Sequence, residues 1–468
     1  MSGSADRHYV AVDGGAGAPL LGELRHVSPR LIEVASPRHA DLLVAVEPIS
    51  RALAPFVAET YRALPRPRAA LTIGVSQSDL AEILPGIHRI DAGVASAEAV
   101  ARAALTIPPG SFDEEVRAPE IEPLTEPLPS KHDRDMATEL VVLTLGPIQP
   151  FTAGPLRLVL ACDGEQVISA RIEAGYAARD IAGAMRRAAW ADAARLAEDL
   201  DPLAPVAGRL AFVTAMEQLQ HHQPAPAVAA MRDAALAVER VQNHIWWLER
   251  FAAVLGHDAL ADQAGGVGSA LRASGAALCE RSAVDWIAPG AGGVAIHPAG
   301  VAAMRHRVRD IEALRSRLAR DAFFASRTQG IGVIDGERLR AADITGPVLR
   351  ASTDMDGDSR CRLLVRLDTA LADLRQITEH DAQREDVPMT SENWTVPAGE
   401  ATATVEGPRG NISVRIRSTG AGSPAAVEWR RPSAALLGII PELLADQTLA
   451  DAELILASLD LATAEADG

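Results

Sequence analysis

The stretch GPIQPFTAGPLRLVLACDGEQV (146–167) decides how the larger part of this chain is organised. Its second half is apolar and strand-like, and it contains Asp163-Gly164, a dipeptide that favours a tight hairpin turn. Together with the apolar run at 140–145, the segment 156–174 is therefore predicted to form strands. These strands mark the beginning of a folded module.

Long alanine-rich segments follow the hairpin and have the composition of helices. They span about 176–199, 207–222, 226–255, 300–324 and 360–381, whereas 401–418 reads as another hairpin and 433–460 as two helices. Residues 138–468 are therefore predicted to form a mainly α, α+β domain with small sheets at its beginning and end.

Strands alternate with helices in the region before this module. The predicted strands are 41–49 and 68–75, and the predicted helices are 50–64 and 95–105. This alternation indicates a small α/β domain with a parallel sheet over residues 1–108. Residues 109–137 are rich in proline and acidic residues and have no apolar period, which predicts an extended linker between two fused modules.

Composition excludes several classes of protein. The 468 residues are 48% hydrophobic, which is enough to build cores and excludes a wholly disordered chain. A formal net charge of −17 repels phosphate backbones, so no nucleic-acid partner is expected. All basic residues except Lys131 are arginine, which suggests codon bias and weakens any argument from a single arginine.

Three cysteines, Cys162, Cys279 and Cys361, lie far apart in the sequence. This spacing excludes a disulfide scaffold and any CxxC metal site. No apolar run reaches the roughly 18–20 residues that a membrane span needs, and the N-terminus does not resemble a signal peptide. We therefore expect a soluble, cytoplasmic chain that associates with a membrane only through partners.

Two glycine-rich stretches, 13–17 and 265–268, are candidates for phosphate binding. A dinucleotide-binding loop needs its glycines between a strand and a helix, and neither stretch is predicted to have that context. Both are therefore expected to be ordinary turns. The acidic stretch 354–358 resembles a calcium loop, but Val365 stands at the twelfth position, so a tight acidic loop is expected.

Histidines offer no clear catalytic or metal-binding arrangement. His221-His222 is expected at an exposed helix end, since adjacent histidines on a helix point in different directions. His244 shares a helical face with Arg240, and with the neighbouring Trp246-Trp247 it is expected in a core or an interface. The residues by themselves predict no catalytic constellation.

Residues 138–468 resemble, in order along the chain, the D subunit of NADH-quinone oxidoreductase (respiratory complex I). They also resemble its relatives, the large subunits of membrane-bound nickel–iron hydrogenases. The first stretch is similar to a family pattern GPxHPxxHGxLRLxLxLDGExV. The stretches that carry the resemblance are GPIQPFTAGPLRLVLACDGEQV (146–167), GYAARDIAGAM (175–185), DLDPLAPVAGRLAFVTAMEQL (199–219), ERVQNHIWWL (239–248), QGIGVIDGERLRAADITGPVLRAS (329–352), GDSRCRLLVRLDTALADLRQI (357–377), GEATATVEGPRGNISVRIRS (399–418) and ADAELILASLD (450–460).

Residues 1–108 look like the B subunit of complex I and the small-subunit relatives of hydrogenases, on the stretch 35–74. That family holds an iron–sulfur cluster with four cysteine thiolates. Here the corresponding places read DGGAGAP (13–19), Ser76 and Gly93-Val94, and residues 1–161 contain no cysteine. The resemblance therefore implies a B-like fold without its cluster.

The D-like module departs from its family at the other cofactor positions. The resemblance places the quinone-pocket histidine region at Gln149 and Ala153 and the quinone-pocket tyrosine at Pro202. The two cysteine pairs that bind nickel and iron in hydrogenases correspond to four non-cysteine residues. These former metal-ligand positions are Asp201, Ala204, Ala462 and Glu465.

These losses lead us to expect a redox-inactive, structural subunit of a complex-I-like or membrane-hydrogenase-like assembly, with no bound cluster, metal or quinone. The expected partners are membrane-embedded quinone-channel-like and antiporter-like subunits and other peripheral-arm subunits, at the inner face of the plasma membrane. One alternative is an active oxidoreductase subunit with a quinone pocket rebuilt on Gln149 and Glu173. Another is a free-standing binding or regulatory protein that reuses the old cavity.

Overall fold

The computed structural model describes most of the chain as two compact units. Met1–Arg179 together with Ala462–Asp467 forms the first, and Asp180–Leu461 forms the second. The predicted division into residues 1–108, 109–137 and 138–468 follows the B-like and D-like resemblances and not compactness, and it stays a prediction. The described residues are 6–74, 80–84, 87–91, 96–108, 110, 116, 140–278, 287, 297–379 and 395–467.

The first unit contains a five-stranded, fully parallel sheet, as the alternating pattern predicts. Its strand order is β2-β1-β3-β4-β5. The central strands β3 and β4 are apolar and buried along their whole length, as is usual when helices cover both faces of a sheet. The strands are β1 (Arg7–Asp13), β2 (Leu31–Glu33), β3 (Leu42–Val46), β4 (Ala69–Ile73) and β5 (His88–Ile90).

Helices form a core on each face of this sheet. Leu43 and Ala45 of β3 pack in one apolar cluster, and the alternate residues Leu42 and Val44 pack in the other. This division follows from the two-residue side-chain period of a strand. The helices are α1 (Ala18–Val27), α2 (Ala54–Ala63), α3 (Leu80–Ile83) and α4 (Ala97–Thr106), with α2 and α3 on the first face and α1 and α4 on the second.

A second, antiparallel sheet completes the strands of the first unit. Its order is β6-β7-β8, and β7 and β8 form the predicted hairpin around Gly164, whose φ is +58°. The strands are β6 (Val141–Leu145), β7 (Arg157–Asp163) and β8 (Gln166–Glu173).

The second unit is mainly helical. Proline begins α7, α8 and α10, where its missing N–H has no cost. The elements are α5 (Ile181–Arg187), α6 (Trp190–Leu196), α7 (Pro205–Leu219), α8 (Pro226–Val254), α9 (Asp258–Leu278), α10 (Pro298–Arg320), α11 (Ala322–Thr328), α12 (Gly336–Ala341), α13 (Gly346–Asp354), α14 (Ser359–Glu379), β9 (Gly399–Gly407), β10 (Gly410–Ser418), β11 (Ala426–Arg430), α15 (Pro432–Leu437), α16 (Ile440–Leu444) and α17 (Leu449–Leu459); the last helix, α18 (Thr463–Asp467), belongs to the first unit.

Three of the sequence predictions about glycine and helix boundaries are wrong. The stretch 265–268 lies inside α9 and is not a turn, because helical packing outweighs the low helix propensity of glycine there. The single helix predicted at 176–199 is two short helices, α5 and α6, followed by a 3₁₀ turn. The stretch 13–17 does lie between a strand and a helix, β1 and α1.

Two expectations about local structure are confirmed. His221 and His222 are exposed just after Gln220, the residue that caps the end of α7, and the acidic stretch 354–358 runs from the last residue of α13 through the short loop that leads to α14. In the part of the chain that the structure describes, none of the helices has the length and apolar character needed to span a bilayer.

Candidate functional site

The first candidate site lies at the carboxyl edge of the parallel sheet. β1 and β3 are neighbours there. After β1 the chain continues to β2 on one side of this pair, and after β3 it continues to β4 on the other side. Such a switch point is where open α/β sheets bind ligands. The turn at this point is DGGAGAP (13–19), the place where the resemblance puts cluster-binding cysteines.

The side chain of Asp13 accepts hydrogen bonds from backbone N–H groups of this turn. Its Oδ1 accepts hydrogen bonds from the N–H groups of Gly15, at 2.8 Å, and Gly17, at 2.7 Å. Gly14 packs so tightly that a Cβ atom there would lie 2.0 Å from the carbonyl oxygen of Pro48. The turn therefore satisfies its own N–H groups with a carboxylate, which disfavours a phosphate at the same atoms.

The C-terminal segment 462–467 packs against the same turn. A Cβ atom on Gly15 would lie 3.0 Å from the Cβ of Ala177 and 3.4 Å from the Cβ of Ala464. Gly154 approaches Gly15 just as closely, since a Cβ atom added to Gly154 would lie 3.1 Å from the Cα of Gly15. Small residues thus bring three distant parts of the chain together at the glycine turn.

Ala153 and Ala462, a predicted quinone-pocket position and a predicted metal-ligand position, lie side by side. They form an isolated parallel bridge, and Thr463 donates from its N–H, at 2.8 Å, and its Oγ1, at 3.1 Å, to the carbonyl oxygen of Ala153. Glu465 is buried in the same segment. Asp467 accepts hydrogen bonds, each at 2.8 Å, from the N–H groups of Gly175 and Ala177.

Gln149, the other quinone-pocket position of this region, uses its side-chain amide to shape its own loop. Its Oε1 accepts from the N–H groups of Phe151, at 2.7 Å, and Thr152, at 3.0 Å. Its Nε2 donates to the Thr152 hydroxyl and to the carbonyl oxygen of Gly154. Glu173, the second residue of the rebuilt-pocket alternative, pairs with Arg157 and Arg171.

The second candidate site lies within the second unit, at the turn before α7. Asp201 is buried there and accepts a hydrogen bond from the N–H of Leu203, at 3.1 Å. Pro202 is half-buried in this turn, and Ala204 is buried at its end. Asn243 of α8 holds the turn by donating to the carbonyl oxygen of Leu203, at 2.9 Å.

Arg409 brings the opposite charge to this turn. It stands in the two-residue turn between β9 and β10, and its guanidinium contacts the carboxylate of Asp201. The same group donates to Oδ1 of Asn243, at 3.2 Å, and lies 3.8 Å from a carboxylate oxygen of Asp460. Asp201, which the resemblance places at a metal-ligand position, is thus paired here with an arginine.

Arg366 of α14 pairs with the same carboxylate oxygen of Asp460, Oδ2, at 3.1 Å, and both side chains are completely buried. Its guanidinium also lies over the ring of Trp247, 4.7 Å from the ring centroid, and donates to the carbonyl oxygen of Leu459. We call Asp201, Arg409, Asp460 and Arg366 the charge cluster. Two carboxylates and two guanidinium groups balance one another there, as buried charges require.

His244 borders the charge cluster and is fully buried, as the sequence predicts for a core position. Its Nδ1 lies 3.5 Å from Nη1 of Arg366. Burial, reinforced by the positive charge of Arg366, holds the pKa of His244 well below its usual value. The imidazole is therefore neutral at physiological pH.

Arg362 lies one helical turn before Arg366 and is equally buried. Its guanidinium donates to the carbonyl oxygens of Gly332 and Gly357 and to the hydroxyls of Ser359 and Ser458. Burial among these neutral acceptors lowers the pKa of Arg362 to about 9. This arginine fastens loops to α14 and α17 and leaves no donor directed at a ligand.

Sequence reasoning missed Arg409, Asp460, Arg366 and Arg362 as members of a site. A usable signal is the pair of arginines four residues apart within the apolar run CRLLVRL (361–367), which places both on one face of α14. Ser76 and Gly93-Val94 lie outside the described residues, as do Cys279 and nearly all of the linker 109–137. Among the described residues, no group of three or more His, Cys, Asp or Glu side chains is placed to hold a metal ion.

Comparison with known proteins agrees with the predicted likeness to the D subunit. Residues 369–468 match the family described as respiratory-chain NADH dehydrogenase, 49 Kd subunit. The chain is similar to a D subunit of NADH-quinone oxidoreductase from Roseiflexus castenholzii, with 28% identity over 418 residues, covering 74% of this chain and 97% of that relative. The predicted resemblance to the D subunit is confirmed.

Two further similarities extend the comparison. The fused C/D protein of NADH-quinone oxidoreductase from Cereibacter sphaeroides is 27% identical over 425 residues, covering 76% of this chain and 70% of that relative. The fold is similar to a chain in the structure of the membrane-bound sulfane sulfur reductase, an archaeal respiratory membrane complex. That match has a TM-score of 0.62, 23% identity, and coverage of 70% of this chain and 98% of the other. The resemblances of residues 1–108 to the B subunit and of the second module to hydrogenases stay predictions.

Proposed function

We propose that this chain is a structural, redox-inactive subunit in the peripheral part of a complex-I-like or membrane-hydrogenase-like assembly. The observation that carries the proposal is the contact between Asp201 and Arg409. A carboxylate at a family metal-ligand position is neutralised there by an arginine, within a cluster whose buried charges already balance. A metal cation added at this place would bring an uncompensated charge into the core.

The residues present do not fit the metal centres that the family implies. Ala204 and Ala462 carry no ligand atom, and iron–sulfur clusters and nickel–iron centres require soft thiolate ligands. The described cysteines, Cys162 and Cys361, are both buried, and burial raises the pKa of each thiol, which disfavours the thiolate. These features support a scaffold role, and we derive no redox step through this chain.

A rebuilt quinone pocket receives less support. The amide of Gln149 makes four hydrogen bonds within its own loop, so binding a quinone carbonyl would break part of that loop. The glycine turn at 13–17 is lined by small side chains and an internal carboxylate. Both features favour a filled scaffold over a ligand-binding cleft.

We infer partners from the assemblies to which the relatives belong. The partners proposed are membrane-embedded quinone-channel-like and antiporter-like subunits, reached from the cytoplasmic face of the plasma membrane; the similarity to a chain of a respiratory membrane complex supports a membrane partner. The C/D relative carries its C portion on the same chain as its D portion, and 30% of its length lies outside the match. We therefore also propose a separate C-like chain among the peripheral partners.

Purification from the native membrane tests this function. A tagged chain should co-purify with integral membrane subunits, and untagged membranes processed in parallel give the background. After separation from its partners in detergent and salt, the chain should contain no stoichiometric iron, nickel or acid-labile sulfide. It should also give no paramagnetic resonance signal after reduction. Stoichiometric metal in the isolated chain would overturn the redox-inactive assignment, and the absence of membrane subunits would overturn the assembly.

A further inference from the structure

The outward face of α10 is basic along the C-terminal half of the helix. α10 packs against α9 and α14 through a buried apolar stripe, and Arg309, Arg317 and Arg320 lie on the opposite, exposed face. The two acidic residues of α10, Asp310 and Glu312, are half-buried, and each forms an ion pair with an arginine. Within α10, which the structure describes throughout, no exposed residue is therefore acidic.

An exposed aromatic side chain follows directly after this helix. Phe323 stands three residues after Arg320 and is 51% exposed, and Arg327 is exposed one helical turn later in α11. His257 contacts the ring of Phe323 edge-on, with 5.8 Å between the ring centroids, and lies 3.2 Å from the carboxylate of Asp321. We call the residues of this surface, all of them in the second unit, the basic face: Arg309, Arg317, Arg320, Phe323 and Arg327.

Three arginines of the basic face have no carboxylate partner. Elsewhere in the molecule exposed arginines form ion pairs, as Arg195 does with Asp192 at 2.5 Å. Among the residues that the structure describes, no carboxylate lies within ion-pair distance of Arg309, Arg320 or Arg327. These guanidinium groups are therefore available to an anionic partner, and each has the geometry to donate two hydrogen bonds to one phosphate.

Two acids of a neighbouring helix limit the local charge without cancelling it. Arg317 donates to the side-chain oxygen of Gln263, so the beginning of α9 lies beside the end of α10. Asp258 and Asp262 stand there, and both are exposed. The four arginines of the basic face outnumber these two carboxylates, so the local charge is positive although the formal net charge of the chain is −17. More distant charges have little effect, because the Debye length is about 8 Å at physiological ionic strength.

The composition of the basic face favours a phospholipid surface over a protein partner. The centre of a protein interface is apolar and depleted of charge, whereas arginines run along the whole of this face. Its large apolar side chain, Phe323, stands near one end, and the exposed positions between the arginines of α10 include the small residues Ala313 and Ser316. Arginine binds anionic headgroups, and an exposed phenylalanine can enter the boundary between headgroups and acyl chains.

We propose that the basic face contacts anionic phospholipid headgroups of the membrane beside which the assembly lies. This inference rests on the proposed function, which brings the chain to a membrane. Each arginine near an anionic surface strengthens binding about fivefold, so the contact is weak by itself and adds to attachment through membrane-embedded partners. The sequence predicts membrane association through partners only, and the basic face adds a direct contact.

Vesicle binding of the purified full chain tests this contact. Sedimentation is measured with vesicles of phosphatidylcholine alone and with vesicles that contain about one-third phosphatidylglycerol. The affinity should be at least about tenfold higher for the anionic vesicles, and it should fall as salt is raised from about 0.1 to 0.5 M. Equal affinity for the two kinds of vesicle, or no binding to either, would overturn the proposal.

Paired glutamine substitutions locate the binding surface. Arg320→Gln with Arg327→Gln should lower the affinity for anionic vesicles at least about tenfold. The matched control, Arg186→Gln with Arg417→Gln, removes the same charge from exposed positions on α5 and β10 and should stay within about threefold of wild type. Phe323→Ser should weaken binding without changing its salt dependence, because it removes apolar contact only. Circular dichroism and thermal melting check that each variant folds, and equal losses in the two double variants contradict the assignment of binding to the basic face.

Arginine labelling with phenylglyoxal shows whether anything else covers the basic face. Mass spectrometry should find Arg320 and Arg327 labelled quickly in the chain alone and slowly on anionic vesicles. Slow labelling in the dilute chain would mean that the chain covers its own basic face. Labelling that slows as the protein concentration rises would assign the surface to a second copy. Either result overturns the proposal.

Two other kinds of occupant give different results. Release of the chain from vesicles by duplex DNA at equal phosphate concentration would assign the basic face to nucleic acid. Loss of integral membrane subunits from the Arg320→Gln, Arg327→Gln chain, with vesicle binding unchanged, would assign it to a protein, and either outcome overturns the proposal. Co-purification of the wild-type chain with membrane subunits is measured separately, so the proposed function can stand when vesicle binding fails.

Discussion

Arg409 is the residue on which the charge cluster depends. It reaches the turn before α7 from the tip of the β9–β10 hairpin, and it lies between two carboxylates, those of Asp201 and Asp460. A buried ion pair is often no more stabilising than an apolar pair of the same volume. Removal of one partner is different, because the remaining charge is left in the core without compensation.

Substitution of Arg409 by methionine should therefore be strongly destabilising. We expect Arg409→Met to lower the free energy of unfolding by about 3–5 kcal/mol. Urea denaturation followed by tryptophan emission measures this, since the tryptophans that the structure describes, at positions 190, 246, 247 and 429, all lie in the second unit. Adding Asp201→Asn to the same chain should recover part of the loss.

Arg430 offers a control for this prediction. Its side chain is 84% exposed and lies 3.5 Å from Asp343, so this surface pair is screened by water. Arg430→Met should change the free energy of unfolding by less than about 0.5 kcal/mol. Equal losses in the two variants would mean that the charge cluster has no special role in stability.

His244 should make the stability of the second unit sensitive to acid. Burial depresses its pKa in the folded state, so the unfolded chain binds a proton more readily below about pH 6.5. Its contribution is complete above that pH and is lost as the pH falls, by up to about 1.4 kcal/mol per pH unit. Unfolding free energies of wild type and His244→Gln, measured from pH 5 to 8, should have a constant difference above pH 7 and diverge below. A constant difference throughout would contradict the neutral, buried imidazole.

At the scale of elements, Glu239 of α8 caps the beginning of α7. Its carboxylate accepts hydrogen bonds from the N–H groups of Val206, at 2.6 Å, and Ala207, at 3.0 Å, which have no partner within the helix. Burial raises the pKa of Glu239 to about 8 despite these bonds. The cap therefore ties two helices together at a residue that titrates near neutral pH.

The raised pKa of Glu239 gives a pH dependence of opposite sign to that of His244. The folded chain holds the proton more tightly than the unfolded chain, so the stabilising contribution is complete below about pH 4.5 and is lost as the pH rises toward 8. Relative to Glu239→Gln, wild type should lose up to about 1.4 kcal/mol per pH unit across this window. Tryptophan-monitored urea midpoints between pH 5 and 8 measure the difference. A difference that grows in favour of wild type would show an ionised carboxylate in the folded state.

Elements with strong apolar patterns are the ones that the sequence predicts well. The predicted helix at 226–255 matches α8 (Pro226–Val254), and the predicted hairpin around Gly164 matches β7 and β8. Elements that depend on distant packing were missed. β1 has an alternating, partly polar sequence, and α9 contains the glycines at 265–268, so their local signals are weak compared with the tertiary contacts that form them.

The site was harder to predict than the fold. Charged residues are normally exposed, so arginines such as Arg362 and Arg366 read as surface positions within a helix. Their role appears only when α14, α17 and the hairpin tip are assembled, because Ser458, which Arg362 contacts, lies 96 residues away in sequence, and Asp460, which Arg366 contacts, lies 94 residues away. The resemblance predicts that Asp201 stands at a changed ligand position, but no local pattern points to Arg409 as its partner.

At the scale of the whole molecule, the two ends of the chain belong to the same compact unit. Residues 462–467 pack with Ala153, Gly15 and Ala177, so the unit that begins at the N-terminus is completed by the last described residues. The first unit therefore cannot be complete until residues 462–467 have been made. In the same unit, the predicted quinone-pocket position Ala153 and the predicted metal-ligand position Ala462 are held together by a backbone bridge.

Asp467 is the residue whose substitution should show whether the C-terminal segment 462–467 closes the first unit. Asp467→Ala removes the acceptors of the N–H groups of Gly175 and Ala177, which should cost about 1–3 kcal/mol and loosen the C-terminal segment. Hydrogen exchange should become faster at the N–H groups of Gly175, Ala177 and Thr463, while tryptophan-monitored unfolding of the second unit stays unchanged. Asp356→Ala, at an exposed position between α13 and α14, serves as the control and should leave both measurements within error. If Asp467→Ala leaves exchange unchanged at these positions, the segment 462–467 is held by other contacts, and closure of the first unit does not depend on its last carboxylate.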